Sequence, residues 1–472
     1  VYVHPGGRYG RRIGVGFTGA VLVASLSVGH QSHVQRLSAV DADRSDDLRR
    51  AIVSGKARYV ILFIGDGMGD SEITLARYYS LGARGRLALD QLPFTGVYTT
   101  YAISERDPST PDYVPDSAST GTAWATGHKT SNGRVSTTAA TDRDLKTILE
   151  LAQERGFRTG DVTTSELTDA TPAVLAAHVA RRACQGPADM QPCPQDRKSA
   201  GGPGSIAEQL VDHVVDVLFG GGASRFEQRT EDGRTVFDGA HTHGYRIVRT
   251  ATELARLSSG KPVLGVFAAG NMSAEWTGLA ATPYPGNVKA PQTCRIDQRP
   301  TAEPSLAAMT AKAIELLTGT AADGPGFFLQ VEGASIDKRG HEADPCGQIG
   351  ETVAFDRAVK VGLDFARANP DTLLVVTADH GHSSQIVSIP TDGAHPTGLI
   401  STLLTADGAP LTVSYGTNIP GKSQDHTGTQ VRIAAMGPQA ANVVGVLDQT
   451  DLFWLMLRAL DANPSGPPSA PK

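Results

Sequence analysis

The run Tyr59-Val60-Ile61-Leu62-Phe63-Ile64 is continuously apolar and stops at Gly65-Asp66-Gly67. A strand with one wet face alternates apolar and polar residues, so an unbroken run predicts a strand buried on both faces of a parallel sheet. Two later runs repeat the design. Phe327-Phe328-Leu329-Gln330-Val331 ends at Glu332-Gly333, and Thr372-Leu373-Leu374-Val375-Val376-Thr377-Ala378 ends at Asp379-His380. Three buried strands thus carry acids at their C-terminal ends, where open α/β sheets build their sites. Amphipathic helical candidates lie at 145–155, 306–317 and 351–367. The order predicts an α/β fold with a doubly wound, mostly parallel central sheet flanked by helices.

At 472 residues the chain is either one large domain with insertions or two domains. The expected catalytic domain covers 57–461. Within it, 382–424 is longer than an ordinary connection and mixes Gly, Pro and short β-like runs, as expected of an inserted cap or interface element. Residues 30–56 are polar and mixed in charge, suiting a linker or N-terminal arm. The Pro-, Ser- and Gly-rich tail 462–472 is expected to be disordered.

Arg11-Arg12 precede an apolar run over 13–28 that ends in Ser27-Val28-Gly29, the layout of a signal peptide over 1–29. An uncleaved anchor is the alternative, although the run is short for a bilayer span. The paired arginines also hint at twin-arginine export. The expected location is periplasmic or extracellular, free or wall-associated, with no stable membrane span after leader cleavage. A net charge of −6, from 43 Lys+Arg against 49 Asp+Glu, leaves no electrostatic footprint for nucleic acid or an anionic membrane. Four cysteines, Cys184, Cys193, Cys294 and Cys346, favour disulfides in an exported chain. Three pairings are formally open, and the local Cys184–Cys193 bridge is the favoured one.

One serine stands among small residues in Asp116-Ser117-Ala118-Ser119-Thr120-Gly121, without a Gly-x-Ser-x-Gly elbow. A serine hydroxyl needs a base or a metal to become a nucleophile. Candidate hard-metal ligands are plentiful: Asp66, Glu332, Asp337, His341, Asp379, His380 and His426. Asp337 and His341 are four apart, one turn along a helix face, so one ion can touch both. Each motif alone reads equally as a solvated pair or a turn, but acids that follow buried strands are costly to leave unpaired. The Gly65–Gly69 turn is expected to cap the next helix through Asp70 or Ser71. Arg182, after a helical-looking 172–179, carries a planar fork suited to two phosphate oxygens.

Five blocks together resemble the bacterial alkaline phosphatases. They are Gly65-Asp66-Gly67-Met68-Gly69-Asp70-Ser71-Glu72, Pro111-Asp112-Tyr113-Val114-Pro115-Asp116-Ser117-Ala118, Gln330-Val331-Glu332-Gly333-Ala334-Ser335-Ile336-Asp337-Lys338, Thr377-Ala378-Asp379-His380 and Asp425-His426-Thr427-Gly428. The resemblance runs from about Arg58 to about Leu460. It implies Ser117 as nucleophile, Arg182 as the phosphate clamp and Asp116 as the residue orienting it. It implies two Zn²⁺, one on Asp337, His341 and His426, the other on Asp66, Asp379 and His380. It further implies one Mg²⁺ on Asp66, Thr171 and Glu332, with Asp169 close by. Lys338 and Asp169 match the bacterial pattern, where animal relatives carry histidines. The pairs Cys184 with Cys193 and Cys294 with Cys346 fit the family's disulfides, and a homodimer is implied. The departures are Gly340 and Glu342 beside His341, the tail, and the composition of the insertion after His382.

The implied function is hydrolysis of phosphate monoesters through a covalent phosphoserine, with activity rising toward alkaline pH. Two alternatives remain at the level of sequence. A superfamily phosphodiesterase or sulfatase is disfavoured by Thr171 and Glu332 and by the lack of Pro and Arg after Ser117. An exported metal- or phosphate-binding protein without turnover would have no use for Ser117.

Overall fold

The computed structural model describes residues 45–296, 299–319, 324–389 and 396–461. The expected leader (1–29), residues 30–44 of the expected linker and the tail 462–472 lie outside them. The chain divides into two units, Val1–Asp47 and Leu48–Lys472. A short exposed helix, Ser45–Ala51, spans the division. All that follows concerns the larger unit.

Its central sheet has ten strands: β1 (Tyr59–Gly65), β2 (Phe94–Thr99), β3 (Arg158–Glu166), β4 (Val217–Gly221), β5 (Arg246–Val248), β6 (Val263–Val266), β7 (Phe327–Gly333), β8 (Thr372–Ala378), β9 (Val431–Met436) and β10 (Val446–Asp448). In space they run β10-β2-β9-β8-β1-β7-β3-β4-β6-β5, and only β9 opposes its neighbours. The three apolar runs are thus adjacent, as β8-β1-β7, and every residue of each is buried. Helices Leu306–Thr318 and Pro345–Ala368 supply apolar cover, with Phe355 edge-on to Phe63 at 6.0 Å between ring centroids. Each large apolar side chain so buried contributes about 1.5–3 kcal/mol.

Register places the acids. Gly65 stands opposite both Gly333 and Ala378, so Asp66 and Asp379 lie one position past that row and Glu332 one position before it. Gln330 is the only polar residue in the interior of its run, and it is fully used. Its amide donates to the Thr171 carbonyl at 2.9 Å, and its oxygen accepts from Trp124 Nε1 at 3.1 Å. That one side chain ties the helix carrying Ser117 to the segment carrying Thr171.

The expected insertion folds as strands Ser384–Val387, Leu399–Leu404 and Pro410–Tyr415, joined by Thr282–Pro283 into a four-stranded antiparallel sheet. It has its own apolar cluster, with Leu403, Val413 and Tyr415 against Leu75, Trp276 and Cys346. Both disulfides form, Cys184 with Cys193 and Cys294 with Cys346. Among the described residues no helix is long and apolar enough to cross a membrane.

Three local expectations are corrected. The helix expected at 351–367 begins at Pro345, where Asp344 caps it by accepting from Gly347 N at 3.0 Å; two glycines in the first turns hide this start in the sequence. The helix expected at 172–179 covers only Ala170–Ala173, because the backbone turns away to let Val179 pair with Val135. Neither Asp70 nor Ser71 caps the helix Asp70–Leu81. Gly69 occupies the cap, while Asp70 pairs with Arg432 at 3.0 Å.

Candidate active site

The acids at the strand ends meet the helix Ser117–Thr126 across a cleft of about 690 Å³, lined by Asp116, Ser117, Arg182, Asp337, His341 and His426 among others. Ser117 is the first residue of its helix, and Asp116 caps it, accepting from Ser119 N at 3.0 Å. The serine oxygen therefore sits at the positive end of the helix, which favours negative charge there. It lies 3.4 Å from His380 Nε2.

Two groups of metal-competent side chains flank it, Asp337 with His341, His382 and His426, and Asp66 with Asp379 and His380. In the first, Asp337 Oδ2 is 3.4 Å from His341 Nε2, and Oδ1 is 3.2 Å from Nε2 of both His382 and His426. In the second, His380 Nε2 is 3.5 Å from Asp66 Oδ1 and 3.2 Å from Asp379 Oδ2. The His380 and His426 rings stack at 3.7 Å and join the two groups. Gly67, at φ +67°, makes the turn beneath them. A side chain there would be strained and would crowd the Asp337 backbone at 3.0 Å.

The tautomers follow from the carbonyls. Nδ1 of His341 faces the Gln424 carbonyl, Nδ1 of His426 faces that of Pro115 at 2.9 Å, and Nδ1 of His380 faces that of Gly381 at 3.2 Å. A carbonyl only accepts, so each Nδ1 carries hydrogen and each Nε2 is left to the site, the arrangement usual for metal-binding imidazoles. His382 is the reverse. Its Nδ1 accepts from Ser383 N at 2.8 Å, which puts the hydrogen on Nε2, facing Asp337.

Behind the serine, Arg182 bridges two carboxylates, Nη1 to Asp116 Oδ2 at 3.1 Å and Nη2 to Asp169 Oδ1 at 2.7 Å. Lys338 Nζ takes the other oxygen of Asp169 at 2.8 Å. Glu332 lies in neither metal-competent group. Its Oε2 accepts from the hydroxyls of Thr163, its partner in register, and of Ser165 at 3.3 Å.

The charge balance calls for cations. Burial, reinforced by Asp379, Asp337 and Glu332, pushes the Asp66 carboxyl well above its usual range. Burial likewise raises Glu332 to about 7 and Asp379 to about 6. At Asp337 the burial penalty is outweighed by the His382 and His426 imidazoles that face it, which hold it well below the carboxylate range. His426 rises against its own burial to about 9 because it faces Asp337. Asp66 Oδ1, Asp337 Oδ1, Asp379 Oδ2 and Thr171 Oγ1 are buried without a hydrogen-bond partner. Four orphaned oxygens beside imidazole lone pairs, in so acidic a pocket, fit bound metal ions.

The alkaline phosphatase family model matches residues 57–422 and 407–462. The chain belongs to the alkaline phosphatase family. It is 55% identical over 414 residues to the streptomycin-6-phosphate phosphatase of Streptomyces griseus, covering 86% of this chain and 90% of that protein. It is 50% identical over 429 residues to the alkaline phosphatase of Escherichia coli strain K12, covering 89% of each. The solved alkaline phosphatase of Thermus thermophilus shares the fold, with a TM-score of 0.65 at 23% identity, covering 90% of this chain and 97% of that one. The chain is accordingly a metal-dependent phosphoric monoester hydrolase of the alkaline phosphatase type, acting through a phosphoserine.

Three contributors to the site escape the sequence reading. His382, at the head of the expected insertion, faces Asp337; its place two residues after His380 is the available signal. Asn132 accepts from Asp116 N at 2.9 Å and Gly133 N donates to Asp116 Oδ2 at 3.0 Å, holding that carboxylate for Arg182. No spacing in the sequence links 132 to 116.

Proposed function

We propose that Ser117 is the nucleophile of this alkaline phosphatase and that Arg182, set by Asp116 and Asp169, binds the phosphoryl oxygens. The supporting observation is the placement of the Ser117 hydroxyl at a helix N-terminus, on a cleft that also exposes Arg182 and two groups of metal-competent side chains. In this reading Asp337, His341 and His426 hold one Zn²⁺, Asp66, Asp379 and His380 a second, and Asp66, Thr171 and Glu332 a Mg²⁺, an all-oxygen set that suits the harder ion. Bound there, the metals would supply Lewis-acid activation of a hydroxyl and stabilisation of a departing oxygen.

The residues do the rest. Ser117 Oγ bonds to phosphorus while the ester P–O bond breaks and the alcohol leaves with a proton. Water then cleaves the Ser117–phosphate bond, returning the hydroxyl and releasing inorganic phosphate. Arg182 faces the non-bridging oxygens, where a loose phosphoryl transition state keeps its charge. Burial disfavours its charge, but its two carboxylate partners outweigh that, fix its plane and hold it protonated far above any working pH. Lys338 binds the other oxygen of Asp169 and, with Arg182, keeps that carboxyl ionised against its burial.

Export and a homodimer belong to this proposal. Two disulfides with no free cysteine support an oxidising compartment. The dimer rests on family membership alone. Steady-state hydrolysis of p-nitrophenyl phosphate against its bis ester, before and after chelation and with Zn²⁺ and Mg²⁺ restored, tests the reading. Metal-restorable preference for the monoester is expected, and preference for the diester would overturn it. Streptomycin 6-phosphate belongs in the same assay, given the Streptomyces griseus relative.

A further inference from the structure

Away from the cleft, Glu150, His178 and His213 bring one oxygen and two imidazole nitrogens within 4.8 Å of one another. The chemistry just described uses none of them. Glu150 lies in the first turn of the helix Ile148–Glu154, His178 in the segment before Val179, and His213 caps the C-terminus of the helix Ile206–Asp212. Glu150 Oε1 is 3.3 Å from His178 Nε2 and 3.9 Å from His213 Nε2. Two ligands each 2.0–2.1 Å from a tetrahedral zinc stand about 3.3 Å apart. The candidate catalytic groups show the same spacing, 3.2 to 3.5 Å between carboxylate oxygen and Nε2.

The tautomer signature also recurs. His178 Nδ1 lies 3.0 Å from the Ser136 carbonyl, so Nδ1 carries hydrogen and Nε2 is directed at a carboxylate. In that setting the contact is favourable only with a cation between Nε2 and the carboxylate oxygen, either a proton on the ring, which Glu150 favours, or a metal ion in its place. Lys146, near in sequence, is engaged by Glu154 instead.

The three carriers are held together independently of any ion. Glu150 Oε2 accepts from Thr147 N at 2.8 Å in a capping box, leaving Oε1 to the histidines. Gln209 clamps His178 by its backbone, Oε1 accepting from His178 N at 2.8 Å and Nε2 donating to His178 O at 3.0 Å, and its own carbonyl accepts from His213 N at 2.9 Å. The His178 side chain is buried, while that of His213 is 29% exposed. A metal can therefore enter from the His213 side and keep a water as fourth ligand.

We propose that Glu150, His178 and His213 form a further zinc site, a His₂Glu set with one solvent position. Its consequence is structural. The bound ion staples the Ile148–Glu154 and Ile206–Asp212 helices to the segment that runs from His178 to Arg182.

The test compares the metal-loaded wild-type enzyme with His213→Ala, and with Glu150→Gln, whose amide oxygen can still accept from Thr147 N. Zinc per chain is counted after dialysis, and Zn²⁺ is titrated calorimetrically into each protein with its catalytic metals in place. The wild type is expected to hold one more zinc than either variant, with micromolar or tighter affinity, while turnover of p-nitrophenyl phosphate by His213→Ala stays within about twofold. Because the count is a difference between proteins with identical catalytic residues, it does not depend on how many ions the cleft holds. Equal zinc content in all three proteins, or wild-type binding at this site only in the millimolar range, would overturn the proposal.

Discussion

Arg182 Nη2 lies 2.7 Å from Asp169 Oδ1, and the other oxygen of that carboxylate is 2.8 Å from Lys338 Nζ. Asp169 thus has no oxygen left over, and its part is to fix the arginine. Replacing it by Asn removes the charge-assisted bond and lets the guanidinium turn. A hydrogen bond to a charged group contributes about 1.5–3 kcal/mol, so Asp169→Asn is expected to raise the inhibition constant for inorganic phosphate at least tenfold. Phosphate inhibition unchanged in the variant would contradict the positioning role.

His382 acts on Asp337 rather than facing the cleft itself. With Asp337 holding zinc as proposed above, removing such a partner typically costs 10–100-fold in metal affinity. Competition with a chelator should show His382→Ala releasing zinc that much more readily, with activity recovered at high Zn²⁺. An unaltered zinc affinity would show that the 3.2 Å approach is incidental.

Metal-free protein should lose stability as pH rises. Asp379 and Glu332 titrate in the folded chain at about 6 and about 7, above their ordinary values, so folding binds protons there, and that contribution fades from about pH 4 to 7. His426, raised to about 9, contributes stability present below about 6.5 and lost as pH rises through 9. Both act in the same direction. His380 and His382, depressed by burial, oppose this only below about pH 6.5, so the rise in Tm on restoring metals is expected to grow between about pH 7 and 8.5, a trend that scanning calorimetry of the chelated and reloaded enzyme would reveal. A rise that shrinks with pH would refute the assignment of these groups to a metal pocket.

The two disulfides should differ in worth. Cys294–Cys346 spans 52 residues and Cys184–Cys193 only 9. In the chain-entropy account they contribute about 4 and about 3 kcal/mol. Urea unfolding of the Cys294→Ser/Cys346→Ser and Cys184→Ser/Cys193→Ser pairs measures this. The shorter bridge adjoins Arg182, so its loss should disturb phosphate binding more than the loss of the longer one.

The three central strands were legible because burial on both faces leaves an unbroken apolar run, and their register then brought Asp66, Glu332 and Asp379 to one place. What the sequence concealed was tertiary. Asn132 reaches Asp116 through a turn that no periodicity marks, and His382 looked like the start of a loop because its partner Asp337 lies 45 residues earlier in the chain. The segment 172–179 reads as helix by composition, yet the pairing of Val179 with Val135 overrides local propensity. The helix expected at 145–155 runs only Ile148–Glu154, after the Thr147 cap, whereas the one expected from 306 starts there, capped by Ser305.

The most direct test of the central claim is to quench the enzyme in acid during turnover of a ³²P-labelled monoester and map the label by peptide mass spectrometry. One phosphoryl group per active chain is expected, on Ser117, absent from Ser117→Ala, whose hydrolysis should fall by about a thousandfold or more. Label on another residue, or turnover by Ser117→Ala close to wild type, would contradict it.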